Sequence, residues 1–309
     1  MLLVTKGIAF FQAKFPSRFP VLKSLHVDCG AAHGDDGSPI EKLLHGLPNL
    51  RVLKINAPIC DLESCRIQGL TWSYKFPQLT HFDLSIFYQS AQDIASFLAN
   101  HPSIRSLMLS AEGEEPIPNF TSLLPNLKAL SMDAWVVQDH FTENANPLRK
   151  ITYLSVGSLE CNASRLIRQC APSLRCLEVE LFNEKIWEEP KETDGFALVP
   201  ELSELALHFS SDGMDEEILL NILKALPKSS NLQVLRMKGN GSPLAIESFA
   251  SLREKMPSSL KVLQWEIGNS KVRYEFEPGQ SVRIVDPPEQ QWPNTLLWSD
   301  ASILNHLGS

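Results

Sequence analysis

The chain has 309 residues, 43% of them hydrophobic and 21% charged, with a net charge of -8. That composition excludes a disordered polymer, and no apolar run approaches the ~20 residues that a membrane-spanning helix needs. The acidic balance argues against a dominant nucleic-acid or acidic-membrane partner, because both carry the same sign of charge.

Residues 1 to 18 read as an apolar lead-in. Ile8, Phe10, Phe11 and Phe15 could cover the open end of a repeat array that begins at residue 19. The opening MLLVTKGIAFFQAKF has neither the long apolar core nor the cleavage site of a signal peptide. From residue 19 one unit recurs: Pro, any residue, Leu, two residues, Leu, one residue, then an apolar residue. The cleanest copy is Leu124 to Asp133 (LPNLKALSMD); others are FPVLKSLHVD from Phe19, LPNLRVLKIN from Leu47, FPQLTHFDLS from Phe76 and HPSIRSLMLS from His101. Later come Leu148, Ala171, Val199, Ser229 and Pro257 as the first residues of LRKITYLSVG, APSLRCLEVE, VPELSELALH, SSNLQVLRMK and PSSLKVLQWE. The first Leu or Ile of each copy falls at Leu22, Leu50, Leu79, Ile104, Leu127, Ile151, Leu174, Leu202, Leu232 and Leu260, at intervals of 23 to 30 residues. Ten registers at near-regular spacing predict a solenoid, which grows by adding repeats.

Within each copy the second Leu and the next apolar residue flank one open position. That is strand periodicity with one face buried, so Leu25 and Val27, Leu53 and Ile55, Leu130 and Met132, and Leu235 and Met237 are expected to point inward. Trp265 shares an inward position. Between strands, Ile94, Phe97 and Leu98 form a helical stripe with Ser90 as cap. Ile218, Leu219, Ile222, Leu223 and Leu226 form a second, and Ala245, Phe249, Leu252 and Met256 a third. Each ends just before a proline (Pro102, Pro227, Pro257), which cannot continue a helix. The shorter intervals predict ragged or 3₁₀ turns, notably near Pro116 to Pro118 and Asn144 to Pro147. Polar loops are expected at Cys29 to Pro39 and Glu184 to Gly195. Lys271 to Glu277 and Ser281 to Asp286 alternate around Pro278-Gly279 as a hairpin, and a short helix is expected near Asp300 to Leu307. The domain plan is therefore an N-terminal cap over 1–18, the solenoid over 19–267 and a C-terminal cap over 268–309.

The six cysteines (Cys29, Cys60, Cys65, Cys161, Cys170 and Cys176) form no CxxC pair, so the four converging ligands of a structural zinc are not indicated. They read as reduced, mostly buried thiols of an intracellular protein, cytoplasmic or nuclear. No GxSxG, HExxH, P-loop or GxGxxG is present.

The strand-plus-helix unit resembles leucine-rich repeats, its longer intervals being closest to the ribonuclease-inhibitor-like class. The P-x-L-x-x-L-x-L spelling and irregular lengths are similar to the repeat region of fungal F-box/leucine-rich-repeat proteins, although no F-box is present. The resemblance implies an α/β horseshoe or arc of about ten strand-plus-helix repeats lined by a parallel concave sheet. It also implies a non-catalytic scaffold that binds a protein or peptide on that sheet, with substrate recognition for a cullin-type ubiquitin ligase, and hence contact with ligase components, as one such task. A stand-alone inhibitor or signalling scaffold, and an enzyme with an unrecognised site, are the alternatives. No cofactor, metal, nucleic acid or membrane partner is expected.

On the concave face, binding can be carried only by the positions between and just after the inward residues. The expected surface has an acidic and small-residue centre (Ser110, Ser131, Asp133, Ser155, Glu178 and Glu180) flanked by a basic spot at Arg236 and Lys238. Trp135 and Trp187, beyond the strands, would be interface anchors if exposed.

Overall fold

The computed structural model describes residues 2–5, 21–28, 44, 47–57, 74–86, 90–110, 120–132, 146–156, 166–167, 169–181, 199–209, 231–239, 256–267, 270–276 and 283–285. The chain divides into two compact units, Met1–Pro147 and Leu148–Ser309. Each is a solenoid of stacked parallel strands with few helices among the described residues.

In the first unit β1 (Leu2–Thr5), β2 (Ser24–Asp28), β3 (Val52–Ala57), β4 (His81–Ile86), β5 (Ser106–Ser110) and β6 (Ala129–Met132) pair in chain order, all parallel. The register aligns equivalent repeat positions without slip. Leu25, Leu53, Phe82, Leu107 and Leu130 form one inward row, and Val27, Ile55, Leu84, Leu109 and Met132 the next; all are buried. In the second unit β7 (Tyr153–Val156), β8 (Cys176–Leu181), β9 (Glu204–Phe209), β10 (Val234–Gly239) and β11 (Val262–Ile267) repeat the arrangement. Leu154, Leu177, Leu205, Leu235 and Leu263 form its first inward row; Val156, Val179, Leu207, Met237 and Trp265 form the second. Burying a Leu-sized side chain is worth roughly 1.5–3 kcal/mol, so two such rows per unit dominate the folding free energy.

The hairpin expected at the end is present: β12 (Ser270–Glu275) and β13 (Arg283–Val285) pair antiparallel. β12 also pairs antiparallel with β11, placing Tyr274 opposite Leu263 as a further buried rung. At the other end, Leu2–Thr5 forms a strand within the segment read as lead-in. Leu2 stands opposite Leu25, one repeat interval away, without the proline that marks the other copies.

The proline is explained by the turn before each strand. Leu50, Leu79, Ile104, Leu127, Ile151, Leu202 and Leu260 each donate a backbone N–H to the carbonyl three residues earlier. In most of these turns proline occupies the second position, where its fixed φ is already correct. The residue before each register Leu or Ile, read from sequence as arbitrary, has a specific task. Ser103, Ser173 and Ser259 donate their hydroxyls to Leu79, Ile151 and Leu232 carbonyls one repeat back; Asn126 and Asn231 donate to Pro102 and Pro200. The residue after each register Leu supplies a carbonyl that accepts two N–H groups from the next repeat: Lys23 from Arg51 and Val52, Arg51 from Thr80 and His81, Arg105 from Lys128 and Ala129. These bonds satisfy the backbone of the turn edge, which has no ladder of its own.

The helix expected before Pro102 is α1 (Ala91–Asn100). Ser90 caps it by accepting from the Asp93 N–H, and Ala91, Ile94, Ala95, Phe97 and Leu98 face the core. A second, one-turn helix, α2, spans Phe120–Leu123, and a 3₁₀ turn covers Asn146–Lys150 in the region where a ragged turn was expected. The stripes at Ile218 to Leu226 and Ala245 to Met256, the two polar loops, the turn at Pro116 to Pro118, the apolar lead-in residues Ile8, Phe10, Phe11 and Phe15, and the terminal helix lie wholly or mostly outside the described residues. Among the described residues no helix is long and apolar enough to cross a membrane.

One repeat carries a histidine where its neighbours carry Leu47, Phe76 and Leu124. His101 is 1% exposed and packs on Phe97 and Phe76, with ring centroids 4.1 and 5.6 Å away. Its Nδ1 donates to the Phe97 carbonyl at 2.7 Å, and its Nε2 accepts from the Phe76 N–H at 2.9 Å. The ring thus ties the end of α1 to the turn of the preceding repeat, and the bond that Nε2 accepts requires it to be neutral. Burial, with a smaller contribution from Lys75, holds its pKa below the ordinary 6.5, against the opposing Phe97 hydrogen bond. A folded-state pKa below the unfolded one means the unfolded chain binds more protons between the two values. The stabilisation is therefore complete above about pH 6.5 and falls as pH drops below it. Urea midpoints measured from about pH 8 to about pH 5 should decline in this window, and H101Q, which keeps a donor and an acceptor but does not titrate there, should flatten that part of the decline.

Candidate functional site

The outward positions of each unit follow from the same register. In the first unit one row runs His26, Lys54, Asp83, Met108 and Ser131. The first four are half-buried and Ser131 is buried. The next row carries Asn56, Ser85 and Ser110, all half-buried. Beside them Thr80 Oγ1 lies 2.8 Å from His81 Nδ1.

The second unit's outward rows are Tyr153, Cys176, Glu204, Val234 and Val262; then Ser155, Glu178, Ala206, Arg236, Gln264 and Arg273; then Glu180, His208, Lys238 and Glu266. Polar side chains link diagonally, each to the position two residues further along the next strand. Tyr153 donates its hydroxyl to Glu178 Oε2 at 2.5 Å. Glu178 Oε1 lies 2.8 Å from His208 Nε2, and Glu204 Oε2 lies 3.1 Å from Arg236 Nη2. The Glu178–His208 contact is close but falls outside hydrogen-bond angles, so it is a polar contact rather than a directed bond. Lys238 instead faces its direct neighbour Glu266 at 3.6 Å, and Arg273 pairs with Glu275 at 2.8 Å.

The diagonals are possible because the residues they pass are small. Directly opposite side chains in a sheet are about 5 Å apart and diagonal ones about 7–8 Å, within reach of Tyr, Glu and Arg only where nothing bulky intervenes. Cys176 stands beside Tyr153, and Ala206 stands between Glu178 and Arg236.

Burial sets the chemistry of these groups. Glu178 is 3% exposed, and Tyr153 and Cys176 are also buried. Desolvation above all, then the Glu178 charge, pushes the Tyr153 phenol well above its ordinary pKa; it remains a proton donor to that carboxylate. Burial, then Glu204, pushes the Cys176 thiol up as well, against the opposing charge of Arg236. Cys170 is raised by burial alone. Both described cysteines are reduced, and neither is a thiolate at neutral pH. Among the described residues no group of three or more His, Cys, Asp and Glu could hold a metal ion.

The residues singled out from sequence separate accordingly. Ser110 is half-buried, while Ser131 and Ser155 occupy outward positions but are buried. Glu178 is buried as well, its carboxylate turned to Tyr153 and His208 rather than to solvent. Glu180 stands opposite His208 on the neighbouring strand, and its side chain lies outside the described set. Asp133, Trp135 and Trp187 also lie outside it. Arg236 and Lys238 are adjacent outward positions of β10, yet each already faces a carboxylate. Tyr153, Glu204, His208 and Glu266 are the members that sequence reasoning did not bring to this group. His208 and Glu266 stood just after the inward residues without a role, and Tyr153 and Glu204 stood two residues before the positions between them. The signal available was complementary polar residues in neighbouring copies, two positions further along in three links and directly opposite for Lys238 and Glu266.

No protein-family model matches the chain, and no curated protein matches it.

Proposed function

We propose that this chain is a non-catalytic interaction scaffold that binds a protein or peptide on the outward face of β8 to β11. The supporting observation is the diagonal lattice. The Glu204–Arg236 and Lys238–Glu266 ion pairs and the Tyr153 bond hold Arg236, Lys238 and Glu178 in place before any partner arrives, while the His208, Arg236 and Lys238 side chains keep 18%, 22% and 41% of their surface in solvent. Side chains already fixed lose less entropy on association, and an Arg between two strands can give a partner's carboxylate or carbonyl a planar fork. In this reading the repeat belongs with leucine-rich repeats, and the face is used as such repeats commonly use theirs.

The test compares quantitative affinity capture by the full chain with capture by R236E/K238E, after circular dichroism has established that the variant melts within a few degrees of the parent. Partners retained by the parent should be depleted about tenfold or more with the variant, the effect of losing about 1.4 kcal/mol. An identical set of partners in both captures, at equal abundance, would remove this face from the binding surface.

A further inference from the structure

We infer that the turn edge of the first unit, distinct from the outward strand face, is a docking ridge for an acidic, extended peptide segment of a protein partner. The residue next after each register Leu sits just before its strand, and in successive repeats these residues are Lys23, Arg51, Thr80, Arg105 and Lys128. The backbone bonds that join each to the next repeat fix them as neighbours along one edge. Lys23, Arg51 and Arg105 are exposed and Lys128 is half-buried; Lys75, just before the turn at Phe76, is exposed as well. The described stretches that form this edge (21–23, 47–51, 74–80, 101–105 and 124–128) hold these five cations and no carboxylate, in a chain of net charge -8. The neighbouring turn positions are neutral: Asn49, Gln78, Ser103 and Asn126. They bond along the edge, Gln78 to Asn49 and Arg51 to Gln78, and so stiffen it. The second unit's edge is similar, with Arg149, Lys150, Arg175 and Lys261, but there Glu201 interrupts it.

The contrast with the second unit's outward face makes the ridge informative. There, cations face carboxylates of the next strand; here, like charges recur at strand spacing with no residue of opposite sign in the described stretches of the edge. Like charges placed side by side are destabilising, and surfaces without a ligand intersperse the two signs. At about 4.8 Å per strand, Lys23 to Lys128 spans about 19 Å, the length of about six residues of extended chain. A single-stranded nucleic acid would bring the same negative charge, but its binding surfaces supply aromatic rings for base stacking. The one large hydrophobic residue strongly exposed among the described residues is Val21, at 83%. Arginine forks at Arg51 and Arg105 suit carboxylates.

The experiment is fluorescence anisotropy with a labelled oligoglutamate peptide of about eight residues, the full chain, and salt raised from about 50 mM to about 200 mM. Oligoglutamine and oligouridylate of matched length serve as comparison probes. Oligoglutamate should bind, weaken with salt and lose about tenfold or more in affinity with R51E/R105E/K128E, whereas Q92E/S96E, which adds acidic charge at exposed positions of α1, should leave it within about twofold. If the triple reversal lowers the melting temperature, R51S/R105S/K128S replaces it, with at least a threefold loss expected. No binding of oligoglutamate at low salt, equal binding by the ridge variant, or tighter binding of oligouridylate would each overturn the inference. The ridge is read from R51E/R105E/K128E against oligoglutamate and the strand face from R236E/K238E in affinity capture, so failure of one is distinguishable from failure of the other.

Discussion

Leu107→Ala is expected to destabilise the chain by about 2–5 kcal/mol, while Met108→Ala, one residue along the same strand, should cost much less. Leu107 has no exposed surface and stands between Phe82 and Leu130 in the inward row of the first unit. Truncation there removes transfer free energy and leaves a cavity between two flanking rungs that are themselves fixed by backbone ladders, so little collapse can refill it. Met108 lies in the outward row beside Asp83 and Ser131 and is half-buried. Strand periodicity is two, so a slip of one residue would exchange the two roles. Urea unfolding of both variants therefore tests the register itself. Similar losses at both positions, or a larger loss at Met108, would show that the rows are misassigned.

The rows were legible because every repeat spells them again. Leu25, Leu53, Leu130 and Leu235 could be placed inward from sequence since the alternation and the interval agree in ten copies, and all four are buried. Ser90 and Pro102 bounded α1 for local reasons that sequence displays directly, a cap and a breaker. What stayed hidden depends on residues one repeat apart. Tyr153 and Glu178 are 25 positions apart, and their bond becomes visible only from knowing which strand lies beside which and that the side chains lean along a diagonal. The position between Pro and Leu looked arbitrary because Ser, Asn and Gln differ in spelling, yet each can offer a hydrogen bond along the same edge. His101 read as an ordinary repeat residue, since its neighbours Phe76 and Phe97 belong to the preceding turn and to a helix whose packing face sequence does not orient. Leu2 to Thr5 was missed as a rung because the proline turn, the strongest local signal, is absent there.

The same diagonals fix the last expectation. His208→Leu should cost about 1–3 kcal/mol, the range for leaving a buried polar group without a partner, because Glu178 Oε1 loses its close polar neighbour while Tyr153 still bonds Oε2. The double variant E178L/H208L should be more stable than the sum of the two single changes predicts, since removing both polar groups leaves neither buried without its partner. The size of that recovery separates two accounts of the lattice. If Glu178 is retained chiefly to hold His208 in place for a partner, the double variant folds as well as the parent and fails in capture experiments. If it is retained for stability, the double variant remains markedly destabilised. A urea double-mutant cycle supplies the coupling energy, and a value near zero would mean that the 2.8 Å contact between Glu178 and His208 carries no net interaction.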